Sequence, residues 1–276
     1  MAMIMSTVSI TVTIIRTAMV TPTAMIIPTA MIIPMSRDIT MNTEQVYASG
    51  SAAPAMTDLS LVRLMHLASV SLPVGGYAFS HGMEYAIDAG WIRNADQVEH
   101  WVREQLYLGL AGTDIPLLRL SMQACAQEDW LELKRINELT LACRETHELT
   151  LTDTAMGEAL MRLMNSLQMT QPFSKSEPVS FVCLFALAAS LWQIPYRAAA
   201  NGFLWSWLEN QIAAATKLVP LGQTQAQQLL VALQPELAAV IEQAEKISEE
   251  EIGAGLPALA IASSQHEHMY SRLFRS

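Results

Sequence analysis

From Asp58 onward, the apolar residues of this chain recur at intervals of three and four positions, which is the period of a helix with one buried face. Two clear examples are the sets Leu61, Leu64, Met65, Ala68 and Val98, Trp101, Val102, Leu106. No alternating apolar run bounded by turn residues indicates a β-strand. The pattern therefore predicts an all-α fold, a single helical-bundle domain of about nine or ten antiparallel helices.

The residues that begin and end helices set the predicted bounds. Asp58, Asn94, Asp114 and Asp129 stand where N-caps are expected, and Gly90 and Gly112 stand where helices should end. We predict helices over residues 58–70, 77–89, 95–110, 114–127, 129–148, 151–168, 178–193, 196–218 and 224–247.

Two stretches are apolar enough to raise the question of a membrane span. Residues 179–194 are shorter than the roughly 20 residues that a span needs. Residues 203–219 include Glu209 and Lys217. We expect both to be central core helices, with one face available for an oligomer interface, and we predict no membrane attachment.

The composition of the chain further narrows the classes of protein to which it can belong. With 51% apolar residues among 276, the chain can bury a sizeable core. Its net charge of -10 argues against nucleic-acid binding, because such proteins concentrate Lys and Arg on one face. Cys125, Cys143 and Cys183 are widely spaced and form no CxxC pair. We interpret them as buried thiols of a cytoplasmic protein.

Residues 1–35 do not follow the helical pattern. Arg16 is their single charged residue, and a hexapeptide repeats over residues 17–34 as TAMVTP, TAMIIP, TAMIIP. Prolines at this spacing fit neither a signal peptide nor a membrane span. We therefore separate a leader, residues 1–55, from an all-α domain, residues 56–276.

The codons of the repeat suggest where the leader comes from. Met is always ATG and Ile begins with AT, so moving the frame back by one base turns each Met-Ile pair into GAT, which encodes Asp. With C or G in the free third codon positions, Thr-Ala-Met-Ile-Ile-Pro then reads His-Gly-His-Asp-His-Pro. We hypothesise that residues 1–40 or so are an upstream gene's histidine-rich, metal-binding tail translated out of frame, and that the true start is Met41 or Met56. The alternative is an ordinary disordered or membrane-seeking extension.

The nucleotide sequence tests this hypothesis directly. We expect the frame shifted by one base to encode histidines across the repeat. A shifted frame without histidines contradicts the hypothesis.

The first of four motifs is SLPVGGYAFSHGMEYAIDAGW, residues 71–91. A proline and two glycines precede a predicted helix, and the glycines permit positive φ. A phosphate-binding loop of the GxxxxGKS or GxxxxGKT type would need a lysine and a hydroxyl that are absent here. We interpret the motif as a surface shaped for another protein, formed by Pro73, Gly75, Gly76, Tyr77, Phe79, Ser80, Gly82 and Glu84.

Two further motifs lie in the middle of the chain. LACRETHEL, residues 141–149, is predicted as a helix carrying Arg144, Glu145 and Glu148, with Arg144 and Glu148 on one face as a solvated ion pair. In KLVPLGQ, residues 217–223, a helix ends on Lys217, and a turn follows at Pro220, Gly222 and Gln223.

The fourth motif is the C-terminal segment SSQHEHMYSRLFRS, residues 263–276. Chain ends are usually polar and frayed, whereas this one combines aromatic and arginine side chains of the kind that interfaces favour. We predict that it becomes ordered only when a partner covers it, through His266, Glu267, Tyr270, Arg272, Leu273 and Phe274. The alternative is a tail folded back onto its own core.

Histidines raise two further alternatives. His266 and His268 are two positions apart and fall on different faces of a helix, so we predict no metal site there. A soluble helical enzyme using His81 and Glu84 as acid and base is the competing function, although no nucleophile or paired carboxylate accompanies His81 at a suitable spacing. We assign no catalytic, cofactor-binding or metal-binding residue.

The four motifs together resemble those of the UreF family of urease accessory proteins, over roughly residues 58–276. The resemblance implies an all-α, non-enzymatic, homodimeric assembly factor that helps deliver nickel to apo-urease. It implies as partners a second accessory protein, UreD or UreH, and a GTPase, UreG, whose GTP hydrolysis the complex gates. Nickel and GTP are then handled by the complex, and this chain has no cofactor of its own.

The resemblance also suggests roles for the motifs. The glycine loop and the turn at Lys217 to Gln223 would be partner-facing scaffold, and the segment from His266 to Phe274 would order against the UreD-like subunit. Arg144, Glu145 and Glu148 would make polar contacts near the dimer or GTPase surface. A histidine-rich nickel chaperone, UreE, is an expected neighbouring gene product, in keeping with the hypothesis for the leader.

Overall fold

The computed structural model describes residues 56–174 and 176–276. Over these residues the chain forms eleven α-helices and no β-strand, which confirms the predicted all-α domain with a slightly higher helix count. The helices are α1 (Asp58–Leu67), α2 (Met83–Asp88), α3 (Ala95–Glu104), α4 (Asp114–Ala126), α5 (Trp130–Ala142), α6 (His147–Ser166), α7 (Phe181–Leu191), α8 (Tyr196–Leu218), α9 (Gln223–Leu233), α10 (Glu236–Ala244) and α11 (Pro257–His266). The predictions for the leader, residues 1–55, lie outside the described residues.

Helix α7 forms the centre of the core. Every residue from Phe181 to Ala189 is buried, and the helix packs against α4, α5 and α6. A short helix that is apolar on all sides must be surrounded by other elements, so the predicted core helix is confirmed. Helix α8 runs beside it and contacts α1, α2, α9 and α10. In the part of the chain that the structure describes, no helix combines the length and apolarity that crossing a bilayer requires.

Two of the four predicted N-caps are confirmed. Asn94 and Asp129 begin α3 and α5, and each side chain accepts a hydrogen bond of 3.0 Å from the backbone N–H three residues later. Asp58 and Asp114 instead lie one residue inside their helices, in the first turn. A carboxylate is favourable at either place, because both lie near the positive end of the helix dipole.

Two predictions of helix extent are wrong, and one helix was not predicted. The helix predicted over residues 77–89 begins only at Met83, because His81 and Gly82 adopt left-handed backbone φ angles of 49° and 73°. The helix predicted over residues 224–247 is divided into α9 and α10 at Pro235, which has no N–H with which to continue a helix. The sequence pattern predicts no helix where α11 lies.

The prediction of LACRETHEL as one helix is also wrong. Helix α5 ends at Ala142, and α6 begins at His147 after a non-helical turn. Thr146 caps α6, because its hydroxyl accepts a 3.1 Å hydrogen bond from the backbone N–H of Leu149. Arg144 and Glu148 therefore do not share a helix face.

The three cysteines are free thiols. Cys125 and Cys183 are buried as predicted, whereas Cys143 is partly exposed. Burial raises the pKa of Cys125 to about 11 and that of Cys183 to about 12, so both remain protonated at neutral pH.

Gly157 allows α6 to approach the segment that leads into α7. A Cβ atom at this position would overlap the carbonyl oxygen of Val179, which is main chain and cannot rotate away. The absence of a side chain is therefore what lets α6 and the start of α7 touch.

We expect Gly157→Ala to lower the free energy of unfolding by about 1–3 kcal/mol, because the new methyl group meets backbone in a packed core. Helix propensity alone predicts the opposite sign, a gain of up to about 1 kcal/mol. Urea unfolding followed by circular dichroism measures the difference. Gly222→Ala is the control, since the nearest atom to its new Cβ is 3.8 Å away; a Gly157→Ala protein as stable as the wild type contradicts the close approach.

Candidate functional site

The glycine loop, residues 73–82, uses its glycines for different reasons. Gly75 has a φ of 78°, which favours glycine. Gly76 is buried against α8, and a Cβ there would lie 2.8 Å from the side-chain nitrogen of Asn210. The prediction of positive φ is therefore confirmed for Gly75, whereas Gly76 serves the close packing of the loop on α8.

The side chains of this loop divide between the core and the surface. Phe79, Ser80 and Gly82 are buried, so these three predicted contact residues do not face solvent. Tyr77 is 62% exposed, and Pro73, at the start of the loop, is also exposed. The loop thus presents Tyr77 on a base that its own buried residues hold in place.

The C-terminal residues are bound along the glycine loop. The backbone N–H of Ser80 donates a 2.6 Å hydrogen bond to the backbone oxygen of Ser276, and the Ser80 hydroxyl donates a second one of 2.9 Å to the same atom. The N–H of Arg275 donates to the carbonyl of Ala78 at 2.8 Å, and Phe274 is buried. The prediction that the tail orders only against a partner is therefore wrong, because the chain itself supplies hydrogen bonds to the tail and covers the Phe274 ring.

A cluster of four side chains, three of them buried, also anchors the tail. We call Glu84, Glu148, His266 and Arg272 the tail cluster. The His266 ring is 0% exposed and has Glu148 Oε2 2.9 Å from Nδ1 and Glu84 Oε2 2.9 Å from Nε2. Arg272 Nη1 donates to Glu148 Oε1 at 2.9 Å.

Glu84 also binds the backbone of the tail. Its Oε1 accepts a 2.6 Å hydrogen bond from the N–H of Leu273, and its Oε2 accepts one of 2.9 Å from the N–H of Phe274. Both oxygens of this buried carboxylate are therefore occupied by donors. The tail cluster joins α2, α6, α11 and the tail, which are far apart in sequence.

A second buried ion cluster lies at the turn before α6. Arg144 donates from Nη2 to Asp114 at 2.8 Å and from Nε to Asp153 at 2.9 Å. Burial disfavours the charged guanidinium, but the two carboxylates outweigh this effect and raise the pKa of Arg144 above its ordinary value. Asp153 also accepts hydrogen bonds from Ser180 and Phe181 at the start of α7. This cluster fixes α4, α6 and α7 relative to one another.

A cavity of about 130 Å³ lies beside the Arg144 cluster. Its lining includes His81, Gln105, Asp114, Arg144 and Trp207. Burial lowers the pKa of His81 to about 4, so the ring is neutral at neutral pH. Within residues 56–174 and 176–276, no group of three or more His, Cys, Asp or Glu side chains is placed to hold a metal ion.

The third motif, KLVPLGQ at residues 217–223, also contacts the tail. Helix α8 ends at Leu218, as predicted, and Pro220 and Gly222 lie in the turn that follows. Lys217 Nζ lies 5.4 Å from the centroid of the Phe274 ring, in a cation–π contact. On the loop side, the Arg275 guanidinium lies 5.7 Å from the Phe79 ring centroid. The structure therefore brings the glycine loop, the Lys217 turn, the start of α6 and the tail together.

Burial separates the predicted site residues into two groups. Those that are buried or mostly buried, and so cannot contact a partner as the chain stands, are Gly76, Phe79, Ser80, Gly82, Glu84, Arg144, Glu148, His266 and Phe274. Those with an exposed surface are Pro73, Tyr77, Glu145, Lys217, Pro220, Gly222, Gln223, Glu267, Tyr270, Arg272 and Leu273, while Gly75 is intermediate.

The sequence interpretation missed four residues that complete these contacts. Asp114 and Asp153 pair with Arg144, and Arg275 and Ser276 bind the glycine loop. An aspartate near the start of a helix is ordinarily interpreted as an N-cap, and the last residues of a chain are ordinarily frayed. Of the four, only Arg275 carried a local signal, as one of the arginines of the fourth motif.

These contacts define an all-α protein that fixes its own C-terminal tail by ion pairs with buried carboxylates and leaves Tyr77, Tyr270 and Leu273 exposed. The family model for UreF matches residues 92–234. The chain belongs to the UreF family.

Several relatives match over nearly their whole length. A urease accessory protein UreF from Marinomonas sp. (strain MWYL1) is 59% identical over 220 residues, which cover 80% of this chain and 96% of the relative. Proteins of the same name from Teredinibacter turnerae and Alkalilimnicola ehrlichii are 48% and 44% identical, over 78% of this chain in each case and over 98% and 95% of the relatives.

We expect Arg144→Met to lower the free energy of unfolding by about 3–5 kcal/mol, because it leaves two buried carboxylates without a counterion. Arg162→Met is the control, since Arg162 pairs with Glu158 at the surface and is 64% exposed. Its effect should stay within about 0.5 kcal/mol. Urea denaturation of both variants measures the difference, and equal stabilities contradict a structural role for the Arg144 cluster.

Proposed function

We propose that this chain is an accessory protein in the assembly of urease. The observation that carries the proposal is the similarity to proteins named urease accessory protein UreF, one of them 59% identical over 96% of its length. An identity of this size along nearly the whole relative supports a shared general role.

In its finer form, the proposal is that the chain acts through protein contacts during nickel insertion. It bridges a UreD- or UreH-like scaffold and a UreG-like GTPase, gates the hydrolysis of GTP, and works as a cytoplasmic homodimer on apo-urease. The complex handles nickel and GTP, and this chain needs no cofactor of its own. The net charge of -10 supports protein partners over nucleic acid.

The exposed part of the tail is the best candidate for the docking surface. Tyr270 is fully exposed and Leu273 is 65% exposed, although the chain on both sides of them is fixed at His266 and Phe274. An exposed aromatic and an exposed leucine on an anchored backbone lose little conformational freedom on binding. Tyrosine is also among the residues that contribute most to interfaces. We define the docking ridge as Tyr270 and Leu273.

This proposal changes the roles suggested for the motifs. The tail is already ordered by its own chain, so the UreD-like subunit would meet a formed surface rather than create one. Lys217, at the end of α8, contacts Phe274 next to the ridge, and Tyr77 belongs to the glycine loop that binds the backbone of Arg275. The buried residues Glu84, Arg144 and Glu148 support the surface from within and do not form it.

The competing function, an enzyme using His81 and Glu84, has less support from the geometry. His81 lines the cavity beside the Arg144 cluster, whereas both oxygens of Glu84 accept hydrogen bonds from His266 and the tail. An acid and a base that serve one substrate must converge on it. These two side chains belong to different sites.

We expect Tyr270→Ala combined with Leu273→Ala to weaken binding to the UreD- or UreH-like partner by about tenfold or more, because the double substitution removes the apolar part of the ridge. Co-purification of the full chain with its partners, followed by a titration of the pair, measures the loss. Leu131→Ala is the control, since Leu131 is 82% exposed on α5. A double variant that binds as tightly as the wild type contradicts the docking ridge.

A further inference from the structure

The tail cluster has an unusual arrangement of charge. His266 is wholly buried, and a carboxylate oxygen lies within 2.9 Å of each of its two ring nitrogens. A neutral imidazole has one N–H and one lone pair, so it can donate to only one of two ionised carboxylates. The protonation states of the neighbours therefore decide the protonation state of His266.

The other contacts of the two glutamates require oxygens that accept. Glu84 accepts from the backbone N–H groups of Leu273 and Phe274, which can only donate. Glu148 accepts from Arg272, whose guanidinium also can only donate. Ionised carboxylates satisfy all of these contacts.

With both carboxylates ionised, His266 must carry an N–H on each nitrogen and is an imidazolium. The cluster then contains two negative charges, from Glu84 and Glu148, and two positive charges, from His266 and Arg272. Buried charges are tolerated when they are paired in this way. Protonated His266 is thus what makes the cluster neutral and fully hydrogen-bonded.

We propose that the tail cluster is a proton-dependent latch, in which protonated His266 holds the tail on the core and loss of that proton releases it. This inference rests on the proposed function, because the docking ridge belongs to the segment that the latch holds. With the latch closed, Tyr270 and Leu273 are presented at a fixed position. With it open, the ridge loses its support, and binding must include the cost of ordering the tail.

The direction of the pH dependence follows from the charges that face His266. Glu84 faces it from α2 and Glu148 from α6, while Arg272 of the tail faces Glu148. Nearby at the surface, His147 pairs with Glu267 at 3.3 Å, and both side chains are largely exposed. When His266 loses its proton, one buried carboxylate faces a ring lone pair and the cluster has a net negative charge. The closed latch is therefore favoured at low pH and weakened as the pH rises.

Backbone hydrogen exchange of the full chain tests the latch. The tail peptide covering Tyr270 to Ser276 is followed by mass spectrometry from about pH 5.5 to 9, a range that includes the usual titration of histidine. Rates are divided by those of a synthetic peptide of the same sequence, which removes the intrinsic effect of pH. We expect protection in the wild type to fall by about tenfold or more across this range, because a charge-assisted hydrogen bond inside the protein is lost.

Two substitutions separate a proton latch from simple packing. His266→Gln cannot gain a proton, so its tail should be poorly protected at every pH. Glu84→Gln can donate from its amide nitrogen to neutral His266 and still accept from the N–H of Leu273 through its amide oxygen, at the cost of the hydrogen bond from Phe274. The protection of its tail should therefore fall less than that of the wild type towards the alkaline end. His268→Gln, at an exposed histidine two residues away, should behave as the wild type.

Different results contradict the latch and the docking proposal. Wild-type protection that does not change with pH, or a Glu84→Gln protein with the same pH profile as the wild type, overturns the latch even if His266→Gln fails to fold. Since exchange is measured on the chain alone, this failure leaves the docking proposal intact. Conversely, a pH-dependent tail whose ridge variants still bind their partner overturns the docking proposal and not the latch.

Discussion

The burial of Glu84 and Glu148 on either side of His266 is the constraint on which the arrangement of the tail depends. Moving a carboxylate out of water is costly unless donors replace the water. Here the replacement donors come from the histidine ring, from Arg272 and from two backbone N–H groups of the tail. The tail therefore supplies donors that stabilise the two buried glutamates, and the glutamates in turn hold the tail in place.

The Arg144 cluster follows the same rule, because here too a buried cation lies between two carboxylates. One buried guanidinium is balanced by Asp114 and Asp153, and Asp153 also binds the backbone at the start of α7. Because α6 supplies both Glu148 and Asp153, this one helix connects the tail cluster to the centre of the core.

The period of apolar residues predicted the helices well where a helix packs along its whole length. Helix α7, apolar on all sides, was recognised as a core element, and α8 has the predicted bounds of residues 196–218. The predicted helix bounds are wrong where a single residue interrupts a helix although the apolar period continues. Pro235 divides a predicted helix, and the left-handed backbone at His81 and Gly82 delays the start of α2. Such interruptions depend on single backbone angles and hydrogen bonds that a periodic pattern does not record.

By itself, the sequence determined the fold class, most of the helices and the four motifs through which family membership is recognised, because these depend on residues close together along the chain. It did not determine which motif residues are buried. His266 contacts Glu148, which is 118 positions away in the sequence, and Glu84, which is 182 positions away. Arg144 contacts Asp114, which is 30 positions away. Pairings at such separations arise only when helices pack, so the tertiary structure decided that the tail folds onto its own core and that Tyr270 and Leu273 remain exposed.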